Sequence, residues 1–302
     1  MTIAQALKYS TERFKHSNSS SPALDSEVLL GIAIKKGKQF LFTRPEKKLT
    51  KKEAGRFLDF VNKRSKGIPV AYLTGQKEFY GLDFYINKHV LVPRPETETL
   101  VEVALEKIKS SRSGLKILDV GTGSGCVIIA IAKTASARQK TASSPRARKN
   151  GSIRPVMEYY ASDTSLEALA AAKQNAKKHG VRINFKIGSL LKPWKNGRFD
   201  VIIANLPYLS RINKTIQHEP KQALVAEKKG LALYKGLFGQ AALFGHDKRP
   251  RLIAIEIDPG QKRQIKKLAA DLLPTYAIRF KKDLANKTRL LILSLFHRER
   301  HP

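Results

Sequence analysis

LKILDVGTGSGCVIIAIA, residues 115–132, decides how the rest of the chain is read. A run of strand character ending in Asp119-Val120 passes directly into Gly121-Thr122-Gly123-Ser124-Gly125 and then into an apolar helical stretch. Glycines at such a junction let the backbone pass close to a ligand at the strand tip, with the helix N-terminus nearby. The dinucleotide fingerprint G-x-G-x-x-G requires glycine at 126, where this chain has Cys126.

Downstream, strand-like runs alternate with helical ones. After 115–120 the strands are VMEYYASD, RINFKIG, FDVIIAN, RLIAIEID, YAIRFKKD and RLLILSL, and helical stretches such as 165–180 and 260–273 lie between them. This alternation predicts an α/β, Rossmann-like fold with a seven-stranded, mostly parallel sheet, helices on both faces and a ligand at the carboxyl ends of the strands. The G-x-G-x-G spacing suits S-adenosylmethionine, whose amino-acid tail packs beside such a turn. The second strand ends at Asp163, which can accept hydrogen bonds from both hydroxyls of a ribose, cap the helix starting at Thr164 or Ser165, or do both. Asp163 stands farther from the glycines than the usual distance of about 20 residues. A segment without acidic residues, 134–156, accounts for the excess if it is a surface insertion.

The fourth strand ends Asn205-Leu206-Pro207-Tyr208. Asn-x-Pro-Tyr after an apolar strand marks methyl transfer to a nitrogen conjugated with a planar group. Such a nitrogen is a poor nucleophile because its lone pair is delocalised, so catalysis is mainly orientation. The Asn205 side-chain oxygen and the Leu206 backbone carbonyl can each accept one N–H, Pro207 fixes the backbone, and the Tyr208 ring can pack on the planar group.

Upstream, residues 1–75 read as helical. Ser21-Pro22 has the form of a cap followed by proline in the first turn, and Thr50 with Glu53 has capping-box spacing ahead of Phe57, Leu58 and Val61. Residues 76–96 are rich in aromatic and β-branched side chains, with Gly81 placed to reverse two strands, and read as a hairpin linker. Pro93 and Pro95 stiffen the chain before a helix near Glu96. The expected organisation is a helical domain over 1–75, a linker over 76–96 and a sheet domain over 97–302, with the basic insertion at 134–156.

With 302 residues, 42% hydrophobic and 27% charged, the composition is that of a soluble globular protein. The N-terminus lacks the apolar core of a signal peptide, and no apolar run reaches the roughly 18 residues of a membrane span. One cysteine excludes an internal disulfide, and with scattered histidines it argues against a metal site. A cytoplasmic monomer is the expectation. The formal charge of +32 has two readings, proximity to RNA or the ribosome, or a basic surface with no such partner. Aromatics do not interleave with the basic runs as a single-strand stacking platform requires.

Taken together, LDSEVLL, GIPVAYLTGQKEFYGLDFYINKHVLVPRPETETLVE, LDVGTGSGCVIIAIA, HEPKQALVAEKKGLALYKGL, IEIDPGQ and KDLANKTRLLIL closely resemble the bacterial release factor glutamine methyltransferases over nearly the whole chain. PRPETE is the most discriminating of these, because the related ribosomal-protein glutamine methyltransferases differ there. The resemblance implies a class I methyltransferase domain that uses S-adenosylmethionine, releases S-adenosylhomocysteine and needs no metal. The implied substrate is the glutamine of the Gly-Gly-Gln loop of a class 1 peptide-chain release factor, methylated at N5 while the helical domain grips the factor's body. It places the cofactor on Asp119, Gly121 to Gly125, Asp163, Ser189, Leu190 (the last two lining adenine) and Asn205, and the substrate amide on Asn205 to Tyr208. The family's usual Asn-Pro-Pro-Tyr is here Asn-Leu-Pro-Tyr, a form also found in ribosomal RNA adenine dimethyltransferases, so the motif alone leaves a nucleic-acid N-methyltransferase as the alternative. Secondary candidates are His89 and His218 as cleft or structural residues, Glu256 and Asp258 as substrate contacts or caps, and Arg94 and Glu98 as organisers of a lid.

Overall fold

The N-terminal helices start where short-range chemistry permits. In a computed structural model of the chain, which describes residues 1–17, 19–111, 114–141, 156–208, 216–224, 230–283 and 285–296, α1 (Ile3–Lys15) opens with a reciprocal box between Thr2 and Gln5. Helix α2 (Pro22–Ile34) has Pro22 in its first turn, but Ser21 makes no side-chain capping bond, contrary to the sequence reading; Ser19 instead donates its hydroxyl to Asp25 of the first turn at 2.7 Å. After α3 (Lys38–Thr43), α4 (Lys51–Ser65) carries the expected Thr50–Glu53 box, and α5 (Val70–Thr74) ends at Gly75. Phe57 and Val61, one helical turn apart, bury completely with Ile3, Phe14, Leu29 and Leu30. Truncating Phe57 to alanine there costs about 3–5 kcal/mol.

Strands β1 (Gln76–Phe79) and β2 (Leu82–Tyr85) form the expected antiparallel hairpin. Its two-residue turn, Tyr80 at φ +53° and Gly81 at φ +71°, has the positive-φ pair that matches strand twist. A short 3-10 turn, Pro95–Thr97, leads into α6 (Glu98–Ser110).

The remaining strands are β3 (Lys116–Val120), β4 (Glu158–Asp163), β5 (Asn184–Ile187), β6 (Val201–Ala204), β7 (Leu252–Glu256), β8 (Tyr276–Lys282) and β9 (Thr288–Leu295). They form one seven-stranded sheet in the order β5-β4-β3-β6-β7-β9-β8, parallel except for the pairings of β9 with β7 and β8. Helices α7 (Cys126–Thr141), α8 (Leu166–His179), α9 (Lys221–Leu224), α10 (Ala232–Ala242) and α11 (Lys262–Leu272) complete the chain order. Side chains of β3 alternate between two cores: Ile117 joins residues of α6, α7 and α8, and Leu118 and Val120 join residues of α10 and α11. Helix α7 runs to Thr141, so the first eight residues of the segment read as an insertion are helical; residues 142–155 lie outside the described ones. No helix among the described residues is long and apolar enough to cross a membrane.

Strand order reverses at β3, which has β4 on one side and β6 on the other. Connections diverge on either side of such a point and leave a crevice beyond the strand ends.

Candidate active site

Register places the principal residues at one level. Val120 pairs with Ser162 on one side and Ala204 on the other, so Gly121, Asp163 and Asn205 are the next residues of three neighbouring strands. The glycine turn is tied down by its own backbone: the N–H groups of Gly121 and Thr122 donate to the Ser162 carbonyl at 2.8 and 3.0 Å, and that of Gly123 donates to Asp163 Oδ2 at 2.9 Å. Asp163 Oδ1 accepts from Ser165 N at 3.0 Å, while Ser165 is the residue that caps α8. The capping alternative read for Asp163 is amended: the carboxylate braces the glycine turn, and Ser165 does the capping. Below the turn the Thr122 hydroxyl donates to the buried Asp119 carboxylate at 2.7 Å.

Gly121 has φ +73°, and a Cβ there would stand 3.3 Å from Leu206 Cδ2. Leu206 turns its side chain into the core against this turn and is buried. A different side chain at that position thus changes packing beneath the loop, while any residue there keeps a backbone carbonyl.

Asn205 is held from behind. Its Nδ2 donates to Thr97 Oγ1 at 3.2 Å, and Thr97 donates to Glu256 Oε2 at 2.7 Å. The Tyr208 hydroxyl donates to Glu256 Oε1 at 3.1 Å, and Gln261 Nε2 donates to the Tyr208 carbonyl at 3.1 Å. Glu256 is thus a buried acceptor shared by both ends of the tetrapeptide, and Asp258 caps the following 3-10 turn through Gly260 N.

Two cavities meet at this loop. One, of about 800 Å³, is lined by Asp119, Gly121 to Ser124, Asp163, Ser189, Leu190 and Asn205 to Pro207. Of the sequence-predicted cofactor residues only Gly125 is outside its lining; a Cβ on Gly125 would press on Ile129 and Ala172 instead. The other, of about 1210 Å³, is lined by Asn205 to Tyr208, Glu256 and Arg289 and, from the N-terminal half, by His16, Asp25, Arg64 and Gln76. His89 lines the first cavity, whereas His218 lines neither and contacts the Lys66 carbonyl at 2.8 Å.

Residues 5–75 match the family described as PrmC N-terminal domain, and residues 111–249 match a methyltransferase domain. A release factor glutamine methyltransferase of Moorella thermoacetica is 35% identical over 92% of this chain and 95% of its own length. One of Bacillus cereus is 30% identical over 98% of this chain and 100% of its own. The chain belongs to the release factor glutamine methyltransferase family. Among solved structures, the human METTL16 catalytic domain in complex with a MAT2A 3'UTR hairpin is 16% identical, covers 83% of this chain and 84% of that one, and superposes with a TM-score of 0.53, a likeness of fold alone.

In this release factor glutamine methyltransferase family member, several residues that sequence reasoning did not single out organise the site. Thr97, 2% exposed, lies just after the segment read as a linker, in the 3-10 turn that leads into α6. Glu219 is equally hidden: it accepts from Val92 N at 3.1 Å and pairs with Arg94, joining the segment before α6 to the one after the tetrapeptide. Asn175 of α8 donates to the carbonyls of Ser124 and Tyr85 and accepts from Tyr85 N, binding the hairpin to the glycine turn. Glu98, read as a lid residue, accepts from Tyr80 N at 2.9 Å and fixes the hairpin turn.

Burial governs the electrostatics. It pushes the Asp119 carboxyl up to about 7 against the opposing Thr122 hydrogen bond. It raises Glu256 as well, opposed by the hydrogen bonds from Thr97 and Tyr208 and by Arg289. The buried Cys126 thiol is pushed up to about 12, so it is not a nucleophile near neutral pH.

Proposed function

We propose that the chain transfers a methyl group from S-adenosylmethionine to the side-chain amide nitrogen of the glutamine in the Gly-Gly-Gln loop of a class 1 release factor. The observation that carries this reading is the meeting of two cavities at Asn205 to Pro207, one built on the glycine turn and the other reaching to the N-terminal helices. A two-substrate transfer needs two compartments that touch where the atoms exchange.

The first cavity fits the cofactor chemically. Asp119 and the turn from Gly121 to Ser124 suit its amino-acid portion. Asp163, with lone pairs beyond those used by Gly123 and Ser165, suits the ribose hydroxyls. Leu190 offers an apolar wall for adenine. When bound, S-adenosylmethionine supplies an electrophilic methyl group on a positively charged sulfur.

The chain's own work is orientation. Asn205 Oδ1 and the Leu206 carbonyl accept the two N–H bonds of the glutamine amide, turning its nitrogen toward the first cavity. Pro207 limits the backbone freedom of the loop, and Tyr208, anchored at its hydroxyl by Glu256 and at its carbonyl by Gln261, offers a ring to the planar amide. Orientation of this kind supplies a large part of a transfer barrier. The release factor's body would lie against the N-terminal helices that line the second cavity.

Labelled methyl transfer from S-adenosylmethionine to recombinant class 1 release factor tests the reading. Incorporation that vanishes when the target glutamine is replaced is expected. Incorporation into ribosomal RNA with none into release factor would overturn it.

A further inference from the structure

We propose that Glu256, acting through Thr97, sets the hydrogen-bond polarity of Asn205 so that its side chain offers oxygen rather than NH2 to the substrate amide. Thr97 and Glu256 are then positioning residues for the transfer. The inference rests on the function proposed above and assigns the buried groups behind the loop a part in it.

Against burial, the hydrogen bonds from Thr97 and Tyr208 and the charge of Arg289 pull Glu256 toward its ionised form, and in that form the carboxylate only accepts hydrogen bonds. Glu256 receives the Tyr208 hydroxyl on one oxygen and the Thr97 hydroxyl on the other, at 3.1 and 2.7 Å, and it is 2% exposed. Thr97, also 2% exposed, has one hydroxyl proton, and that proton is committed to Glu256. Toward Asn205 the hydroxyl oxygen therefore has only lone pairs to offer. The side-chain amide 3.2 Å away must meet it with Nδ2, because the flipped amide would set oxygen against oxygen.

With Nδ2 committed to Thr97, Oδ1 becomes the branch of the amide left for the substrate. A glutamine NH2 has two N–H bonds to place, so it needs acceptors. The opposite flip would confront it with a second NH2 group, donor against donor. An asparagine without such a partner has little to separate its two flips, and part of the population would present the wrong face. The carboxylate thus acts on Asn205 only through Thr97, yet it decides which face of Asn205 the substrate meets. The same carboxylate anchors Tyr208, so both ends of the tetrapeptide take their orientation from one buried group.

The test compares Thr97→Val, which keeps the shape and removes the hydroxyl, with Thr97→Ser, which restores it. Methyl transfer to release factor is measured at saturating cofactor, beside calorimetric binding of S-adenosylmethionine. Thr97→Val is expected to lower kcat at least roughly tenfold while cofactor affinity is retained, and Thr97→Ser to recover most of the loss. Retained affinity also shows that the valine variant is folded. A Thr97→Val enzyme as fast as wild type, or a Thr97→Ser enzyme as slow as Thr97→Val, would overturn the relay while leaving the proposed function standing. Wild-type protein that binds cofactor but transfers nothing to release factor would overturn both.

Discussion

The two cavities that meet at Asn205 are built in different ways. The smaller one draws chiefly on short runs at neighbouring strand tips, 119–124 at β3, 163–168 at β4, 188–190 after β5 and 205–207 after β6, and is closed by residues such as His89, Arg94, Thr97, Pro220 and Leu233. The larger one collects residues from the turn after α1, from α2, α4, α5, the hairpin, the segment around Arg94, the tetrapeptide and β9. One is built mainly by what each strand does as it ends, the other by how distant parts of the chain pack. The first should therefore tolerate changes in the N-terminal helices, and the second should be sensitive to ties that span the sequence.

The sharpest separation comes at the residue both cavities share. Asn205→Ala removes the side-chain acceptor proposed for the substrate amide, so kcat should fall about 10²–10³-fold, as for loss of a preorganised group at a reacting centre. Calorimetry should still detect S-adenosylmethionine binding. Equal loss of both properties would mean that the two cavities are one site in function.

A second test removes a tie of the larger cavity. Arg94→Ala leaves Glu219, whose side chain is 2% exposed, without its ion partner, and an uncompensated buried carboxylate costs about 3 kcal/mol. Because Arg94 is itself 38% exposed, screening reduces this to about 2 kcal/mol, read as a lower Tm. The KM for release factor should rise more than that for cofactor. The reverse pattern would show that Arg94, which lines both cavities, belongs chiefly to the smaller one.

These differences explain what could be read from the chain alone. The sheet, its seven strands and the glycine turn were legible because their causes are local: apolar alternation, residues that tolerate positive φ, and a helix start directly after a strand. The place of Asp163 at the end of a strand was legible for the same reason, although its bonds to Gly123 and Ser165 were not. Thr97 escaped notice because its partner Glu256 lies 159 positions away, and nothing in PRPETE signals a buried hydroxyl. Asn175 looks like any polar residue of an amphipathic helix until the hairpin is laid across it. Ser21 misled because its place before proline is right while its side chain makes no capping bond.

The smaller cavity holds an electrostatic cost of its own. Burial holds the Asp119 carboxyl near 7, well above its unfolded value, so folding favours the protonated acid. The stability this brings is fully present below about pH 4 and is lost as pH rises through about 7. Asp119→Asn should flatten that dependence and stabilise the cofactor-free protein above pH 7 by about 1–2 kcal/mol, measured by thermal unfolding across pH. If the carboxylate meets the ammonium group of the cofactor, the same change should weaken S-adenosylmethionine binding. A stability gain with undiminished affinity would remove Asp119 from the proposed cofactor contacts.

The weakest expected effect lies at the rim, where the N-terminal helices approach the segment after the tetrapeptide. His218 Nε2 lies 2.8 Å from the Lys66 carbonyl, which can only accept, so the ring must donate from that nitrogen. The bond is exposed, and its loss in His218→Ala should cost about 0.5–1 kcal/mol. Because it joins the helices lining the larger cavity to the chain that carries Glu219, the cost should appear as a KM for release factor raised less than about fivefold. Cofactor affinity should not change, because neither His218 nor Lys66 lines the smaller cavity. An effect on cofactor binding larger than that on release factor would contradict the division of the site into a locally built half and a tertiary one, since this contact is available only to the second.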